Sequence, residues 1–235
     1  MSIWRRIVDG AQALGGPLGA LARLADPDAA PRDGAKQVAF TIAVIALSAK
    51  MAKADGEVNE AEVAAFGEVF RAPPEEVVNV ARVFDLARQD VAGYEAYARQ
   101  IARLFENDRQ VLENLMHGLF HIAQADGPAQ EPELEYLRKV AQIFGFGRVG
   151  FQRIRSHHMD DLSCDPYIVL GLQCGAPFED VKSAWRRLVR EHHPDRVTAQ
   201  GLPEEFVALA NQKLVKLNEA YERIRRDVEL YGSEA

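Results

Sequence analysis

Cysteine is nearly missing: 235 residues hold two, Cys164 and Cys174, and they form no Cys-x-x-Cys pair. That excludes a zinc ribbon or a thioredoxin-type site, and the plain reading is two reduced thiols in a cytosolic protein. Long apolar runs are missing as well. Crossing a bilayer takes about 20 mostly apolar residues, and no segment supplies them. The N-terminal stretch MSIWRRIVDGAQALGGPLGALARLAD comes nearest, but Arg5, Arg6, Asp9 and Arg23 interrupt it, which leaves only a weak match to a signal peptide. Within it Ile3, Ile7, Ala11 and Leu14 fall at helical spacing beside Trp4 and Val8. Such a stripe packs on its own domain, the preferred reading, or lies on a membrane surface. A basic excess is lacking too. Twenty-eight Lys and Arg against 35 Asp and Glu leave a net charge of −7, which argues against a general nucleic-acid binder while leaving room for a local basic patch.

What is present is alanine and helical periodicity. Runs of alternating β-branched residues are absent, so helices are predicted throughout. DPDAAPRDG, from Asp26 to Gly34, reads as a linker that closes an N-terminal arm over residues 1–34. After it, apolar residues recur at three- and four-residue steps: Val38, Ile42, Ile45 and Ala49; Val63, Phe66 and Val69; Val77, Val80 and Phe84. The pattern continues through Tyr94, Tyr97, Ile101 and Leu104, then Leu112, Leu115, Leu119 and Ile122, then Leu134, Leu137, Val140 and Phe144. Breaks fall at Asp55-Gly56, Pro73-Pro74, Gly93, Asn107-Asp108 and Asp126-Gly127. This spacing predicts an all-α bundle of about six helices over residues 35–155.

An echo runs inside that bundle. KADGEVNEAEVAAF (Lys53 to Phe66) matches QADGPAQEPELEYL (Gln124 to Leu137), with a glutamate seven residues after each aspartate. Each copy reads as a helix, an Asp-Gly turn and a second helix, which suggests a duplication. The polar run RSHHMDDLSCDP reads as a hinge over residues 156–164. Its adjacent histidines are expected to be solvated, with metal binding as the lesser alternative.

Beyond Asp165 the pattern changes. A short helix, a Gly turn and a longer helix starting near Pro177 are predicted. Val181, Trp185, Leu188 and Val189 give that helix an apolar face, and Lys182, Arg186, Arg187 and Arg190 a basic one. A last helix carries Phe206, Ala210, Leu214, Leu217, Tyr221 and Ile224 as one inner stripe, packed antiparallel on its predecessor. Between them sits His193-Pro194-Asp195, and Pro194 should end the preceding helix, displaying the tripeptide in a loop.

DPYIVLGL, AWRRLVREHHPDR and LNEAYERIR together resemble the J domain of the DnaJ co-chaperone family, whose signature is the tripeptide at 193–195. Trp185 and His192 stand where the family usually has tyrosine. The ADG hairpins of the first part resemble the TerB-like helical domain, and the order of the two, with the Gly-Leu-Pro insert at 201–203, is similar to DjlA-like co-chaperones. The resemblance implies an all-α TerB-like bundle followed by a small C-terminal J-domain hairpin over 165–235. It implies docking on a DnaK-type chaperone ATPase through His193, Pro194, Asp195, Lys182, Arg186, Arg187 and Arg190, with stimulation of ATP hydrolysis there. The physics agrees. Clustered cations steer toward an acidic surface, a stiff loop loses little entropy on docking, and Asp195 suits a partner arginine.

Members of that group typically carry an N-terminal membrane anchor, and no convincing one is read here. The expected location is therefore the cytoplasm, with peripheral attachment to the inner membrane as the variant. The Gly/Phe-rich and cysteine-rich modules of the full DnaJ type are lacking, so a specialised co-chaperone with an unknown client is expected, with no nucleic acid and no cofactor. No nucleophile–base pairing or nucleotide cradle points to an enzyme. GFGRVG (Gly145 to Gly150) matches a dinucleotide fingerprint, but a helix precedes it rather than a strand, so helix-ending glycines explain it better. Asp55, Glu62, Asp126 and Glu133 are candidate oxygen ligands for a metal ion. Helix capping, as in the Asn59–Glu62 spacing, is the preferred reading of those carboxylates. The alternative function is accordingly a metal-ion or stress sensor with the J domain as its output.

Overall fold

A computed structural model describes residues 19, 35–55, 77–89, 93–124, 127–159, 166–200, 202 and 205–231. The N-terminal stripe, the Asn59–Glu62 pair, the Val63 to Val69 repeat, Asp126 and Cys164 lie outside them, as does most of the first copy of the internal echo. Every element among the described residues is a helix, as the periodicity predicts.

The first part is built around α1 (Ala35–Asp55). Its sequence is apolar nearly all round, and a helix of that kind belongs in a core rather than on a surface. Residues 39–51 are indeed all buried, Thr41, Ser48 and Lys50 included. Four amphipathic helices pack on it: α2 (Val77–Gln89), α3 (Tyr94–Leu104), α4 (Arg109–Ala123) and α5 (Glu131–Ile143). Tyr136 of α5 donates its hydroxyl to the Leu47 carbonyl at 2.7 Å, so even its polar tip is answered inside. α5 starts with a capping box between Gln130 and Glu133. It stops where Gly145, at φ 79°, lets Phe146 N–H reach Ala141 O at 2.8 Å and Gly145 N–H reach Gln142 O at 3.0 Å. Gly147 then caps α6 (Arg148–Ser156), so the glycines of GFGRVG end one helix and begin the next.

The second part comprises α7 (Pro166–Val169), α8 (Phe178–Glu191), α9 (Pro194–Ala199) and α10 (Glu205–Tyr231). Val169, Leu170, Val181, Leu188, Leu217, Ala220 and Ile224 form its small core. Trp185 stacks on Tyr221 at 4.5 Å between centroids and donates to Asn218 Oδ1 at 2.9 Å, so the large aromatic is held at both ends.

The apolar stripe of α10 departs from expectation, because it does not serve a single hairpin. Its C-terminal portion, with Leu217 and Ile224, lines the small core, whereas Phe206 and Ala210 join the core of the first bundle together with Val197 and Leu202. Phe206 meets Phe40 of α1 edge-on at 4.6 Å. Gly118 of α4 makes room for it, because a Cβ there would come within 3.0 Å of the Phe206 ring. The apolar core therefore runs across the boundary expected at residues 156–164. Phe206→Ala should cost about 3–5 kcal/mol and lower the unfolding midpoint seen through Tyr97 and Tyr136 in the first bundle. Chemical denaturation with two probes, one in each part, checks this; a loss confined to α8–α10 would show the shared core to be incidental.

Candidate chaperone-docking site

α8 ends because Pro194 cannot continue it. The same ring, with φ preset for a helix, suits the first position of the next one. Pro194 and Asp195 therefore open α9 rather than lie in an irregular loop, with His193 as the N-cap. The His193 backbone is extended at φ −63°, ψ 136°, as a residue before proline should be. Its Nδ1 accepts the Asp195 N–H at 3.2 Å. The tripeptide is still displayed, with side-chain exposures of 50% for His193 and 90% for Asp195. Arg186, Arg187 and Arg190 are exposed and Lys182 is half-buried. The 182–186–190 line therefore runs along α8 toward the tripeptide. Arg187 leans to Glu191 at 3.9 Å, and Arg190 Nε donates to the Arg186 carbonyl at 3.2 Å. Exposed pairs of this kind contribute little to stability and leave the charge available.

Directly behind the tripeptide lies a buried polar cluster that the sequence reading missed. Glu113 of α4 has a side-chain exposure of 7%. Lys213 of α10 reaches its Oε1 at 2.6 Å. Arg153 of α6 binds both carboxylate oxygens, at 3.0 and 2.8 Å. His192, the C-cap of α8, places Nε2 at 3.5 Å from the same Oε1, and His117 places Nε2 at 3.6 Å. Both distances are too long for good hydrogen bonds. The other His192 nitrogen lies 2.8 Å from Gln110 Nε2. His117 Nδ1 lies 2.7 Å from His158 Nε2, and His157 packs edge-on to the His117 ring at 5.7 Å. His157 is buried with neither ring nitrogen hydrogen-bonded, so the hinge histidines are not solvated as expected. One signal for the cluster was available: Lys213 falls between Ala210 and Leu217 at three- and four-residue spacing, a charge on an apolar stripe.

The charge states follow from burial. Burial pushes the Glu113 carboxyl up, but Lys213, the His117 contact and Arg153 outweigh it and hold it well below the usual carboxylate range. Burial pulls Lys213 down to about 8, assisted by Arg153 and opposed by Glu113. Burial first, then the nearby Lys213 charge, keeps His117 and His157 well below the usual imidazole range, His158 at about 3 and His192 at about 2. At neutral pH the four rings are therefore uncharged.

Among the carboxylates considered for metal, Glu133 accepts the Gln130 N–H at 2.7 Å within the capping box. Asp55 is the last residue of α1, its side chain outside what is described, and Glu62 and Asp126 lie outside the described residues. Among the described residues no group of three or more His, Cys, Asp or Glu is arranged to hold a metal ion. No helix among them is long and apolar enough to cross a membrane.

Comparison with known proteins places two families on the chain. Residues 41–156 match the family model described as tellurite resistance protein TerB, and residues 165–229 match that of the DnaJ domain. A protein of Photobacterium profundum called Co-chaperone protein DjlA is 27% identical over 82% of this chain and 79% of its own length. One of the same name from Coxiella burnetii is 27% identical over 75% and 73%. The match to the like-named protein of Vibrio vulnificus (strain YJ016), 31% identical, spans 45% of this chain and about half of that relative, 48%. No solved structure matches the chain.

The neutral rings set a pH dependence. Unfolded imidazoles take up protons near pH 6.5, whereas these four in the folded chain do not, so below that pH the unfolded state binds more protons and stability falls as acid is added. Each ring contributes up to about 1.4 kcal/mol per pH unit. Glu113, with its folded pKa depressed, adds a further loss only once the pH falls below the unfolded carboxylate value of about 4.3. The thermal midpoint should therefore drop steadily from pH 6.5 to 5. His157→Leu should flatten that slope without lowering the midpoint at pH 7.5, since it removes a buried ring whose nitrogens make no hydrogen bond and leaves an apolar side chain of similar size. A midpoint unchanged between pH 8 and 5 would contradict the burial of these rings.

Proposed function

Because the chain belongs to the DjlA-like group of DnaJ-family proteins, a TerB-type bundle followed by a J domain, we propose that it is a co-chaperone that recruits a DnaK-type ATPase and stimulates its ATP hydrolysis. The observation that carries this reading is the outward display of His193 and Asp195 at the end of a helix whose exposed face is cationic. The chain itself carries out no chemistry: ATP is cleaved on the partner, and this protein contributes a surface. The charges of α8 bring that surface to an acidic partner, and Pro194, fixed at the start of α9, limits the entropy lost when the tripeptide docks. The TerB-like bundle binds a client or directs the protein to its place of action. A second reading has the bundle sense a metal ion through Asp55, Glu62, Asp126 and Glu133, and it requires Glu133 to leave the capping box in which it accepts the Gln130 N–H. Calcium or zinc titration of the full chain separates the two.

His193→Gln or Asp195→Asn should abolish ATPase stimulation with helicity and unfolding midpoint nearly unchanged, since both side chains face solvent. Wild-type stimulation by both variants would overturn the co-chaperone reading. Arg186→Glu with Arg190→Glu should slow association with the ATPase far more than it alters stability. The defect should narrow with added salt, because the Debye length shrinks from about 10 Å at 0.1 M to about 3 Å at 1 M. Association rates across a salt series check this, and a flat wild-type response would reduce the stripe to a solvated helix face.

A further inference from the structure

We propose that Glu113, on the first bundle, is a positioning residue for His193-Pro194-Asp195, because with Gln110, its neighbour on α4, it holds both chain segments that flank the tripeptide: Gln110 meets His192 at 2.8 Å and Glu113 pairs with Lys213 at 2.6 Å. Gln110 and Glu113 stand one turn apart on α4 and so share a face. Together they confront both ring nitrogens of His192, at 2.8 Å for Nδ1 and 3.5 Å for Nε2, and His192 is the residue immediately before His193. On the far side of the loop, Lys213 reaches the same Glu113 oxygen at 2.6 Å. The chain thus leaves this face of α4 at 192, bonded to Gln110, runs through the tripeptide and α9, and returns at 213, bonded to Glu113. Arg153 fixes the carboxylate plane from α6 with two bonds, the arrangement that constrains orientation as well as distance. Val197, Leu202, Phe206 and Ala210 hold the body of this excursion in the apolar core of the first bundle. His193 and Asp195 are left facing outward.

An apolar plug would serve stability as well as this cluster does. Buried ion pairs are often matched or exceeded by apolar residues of equal volume, and what they add is a defined geometry. Here the geometry is that of the loop's two feet. The TerB-like bundle is then part of the stimulating device and not only an attached module.

This inference rests on the reading that the loop stimulates a DnaK-type ATPase, and its test is arranged to fail separately. The full chain carrying Glu113→Gln with Lys213→Met loses both charges of the closest pair at similar volume, and Arg153, with its side chain 17% exposed, can hydrate. Stimulation of a purified DnaK-type ATPase is measured against J-protein concentration, beside His193→Gln. Coupling between sites commonly amounts to about fivefold or more, so the plateau rate should fall at least that far. The half-saturating concentration should change less than roughly twofold, because Arg186, Arg187 and Arg190 remain to bind. A merely structural role would do the reverse, raising the half-saturating concentration through loss of folded protein while the plateau stays. That result, or an unchanged curve, overturns the proposal. Should the double variant fail to fold, Gln110→Leu, which removes only the polar grip on His192, is judged by the same plateau. Normal stimulation by His193→Gln would overturn the functional reading instead.

Discussion

A carboxylate taken out of water is tolerated only when its charge is answered, and Glu113 is answered from two helices, α6 and α10. Lys213 and Arg153 supply two cations to one anion, an imbalance that the interior could not carry if any nearby imidazole were also charged. His117, His157, His158 and His192 are neutral for that reason as well as through their own burial. The charge state of each group in the cluster is thus conditioned by the others. Because its members come from α4, α6, the end of α8 and α10, the cluster ties the TerB-like and J-domain parts into one body.

Around that polar centre the apolar contacts have a simple logic. α1 is uniformly apolar and takes the middle, and amphipathic helices surround it with their stripes inward. Phe206, let in by the missing side chain of Gly118, completes the wall on the side where the J domain sits. The polar cluster and the aromatic contact sit on adjacent turns of α4, at Glu113 and Gly118.

The helices and their order were legible because apolar residues at three- and four-residue steps line one face of a helix and would scatter over both faces of a strand. The capping box at Gln130–Glu133 and the glycine stop at Gly145 follow from local backbone chemistry alone. The display of His193-Pro194-Asp195 at a helix end was legible from Pro194, although the ring is ambiguous: it ends α8 and also begins α9. Illegible were the partners of each stripe. Spacing assigns Phe206, Ala210, Leu217 and Ile224 to one face of α10 and says nothing of which core that face meets along its length. The clasp was missed because charged and imidazole side chains default to solvent. Their burial depends on a neighbour, Glu113, that lies 100 residues from Lys213 in the chain.

The division of α10 between two cores has a consequence for synthesis. A chain grows from its N-terminus, and domains generally close as they emerge. The first bundle lacks part of its wall until α9 and α10 have followed it. Until residues 197–210 have been made, the pocket beside Phe40 and Gly118 stays open, and the Glu113–Arg153 pair waits for its second cation. The last wall of the bundle arrives on the same helix whose Lys213 pairs with Glu113 behind the tripeptide. The wall of the bundle and the support of the tripeptide are thus completed by the same stretch of chain.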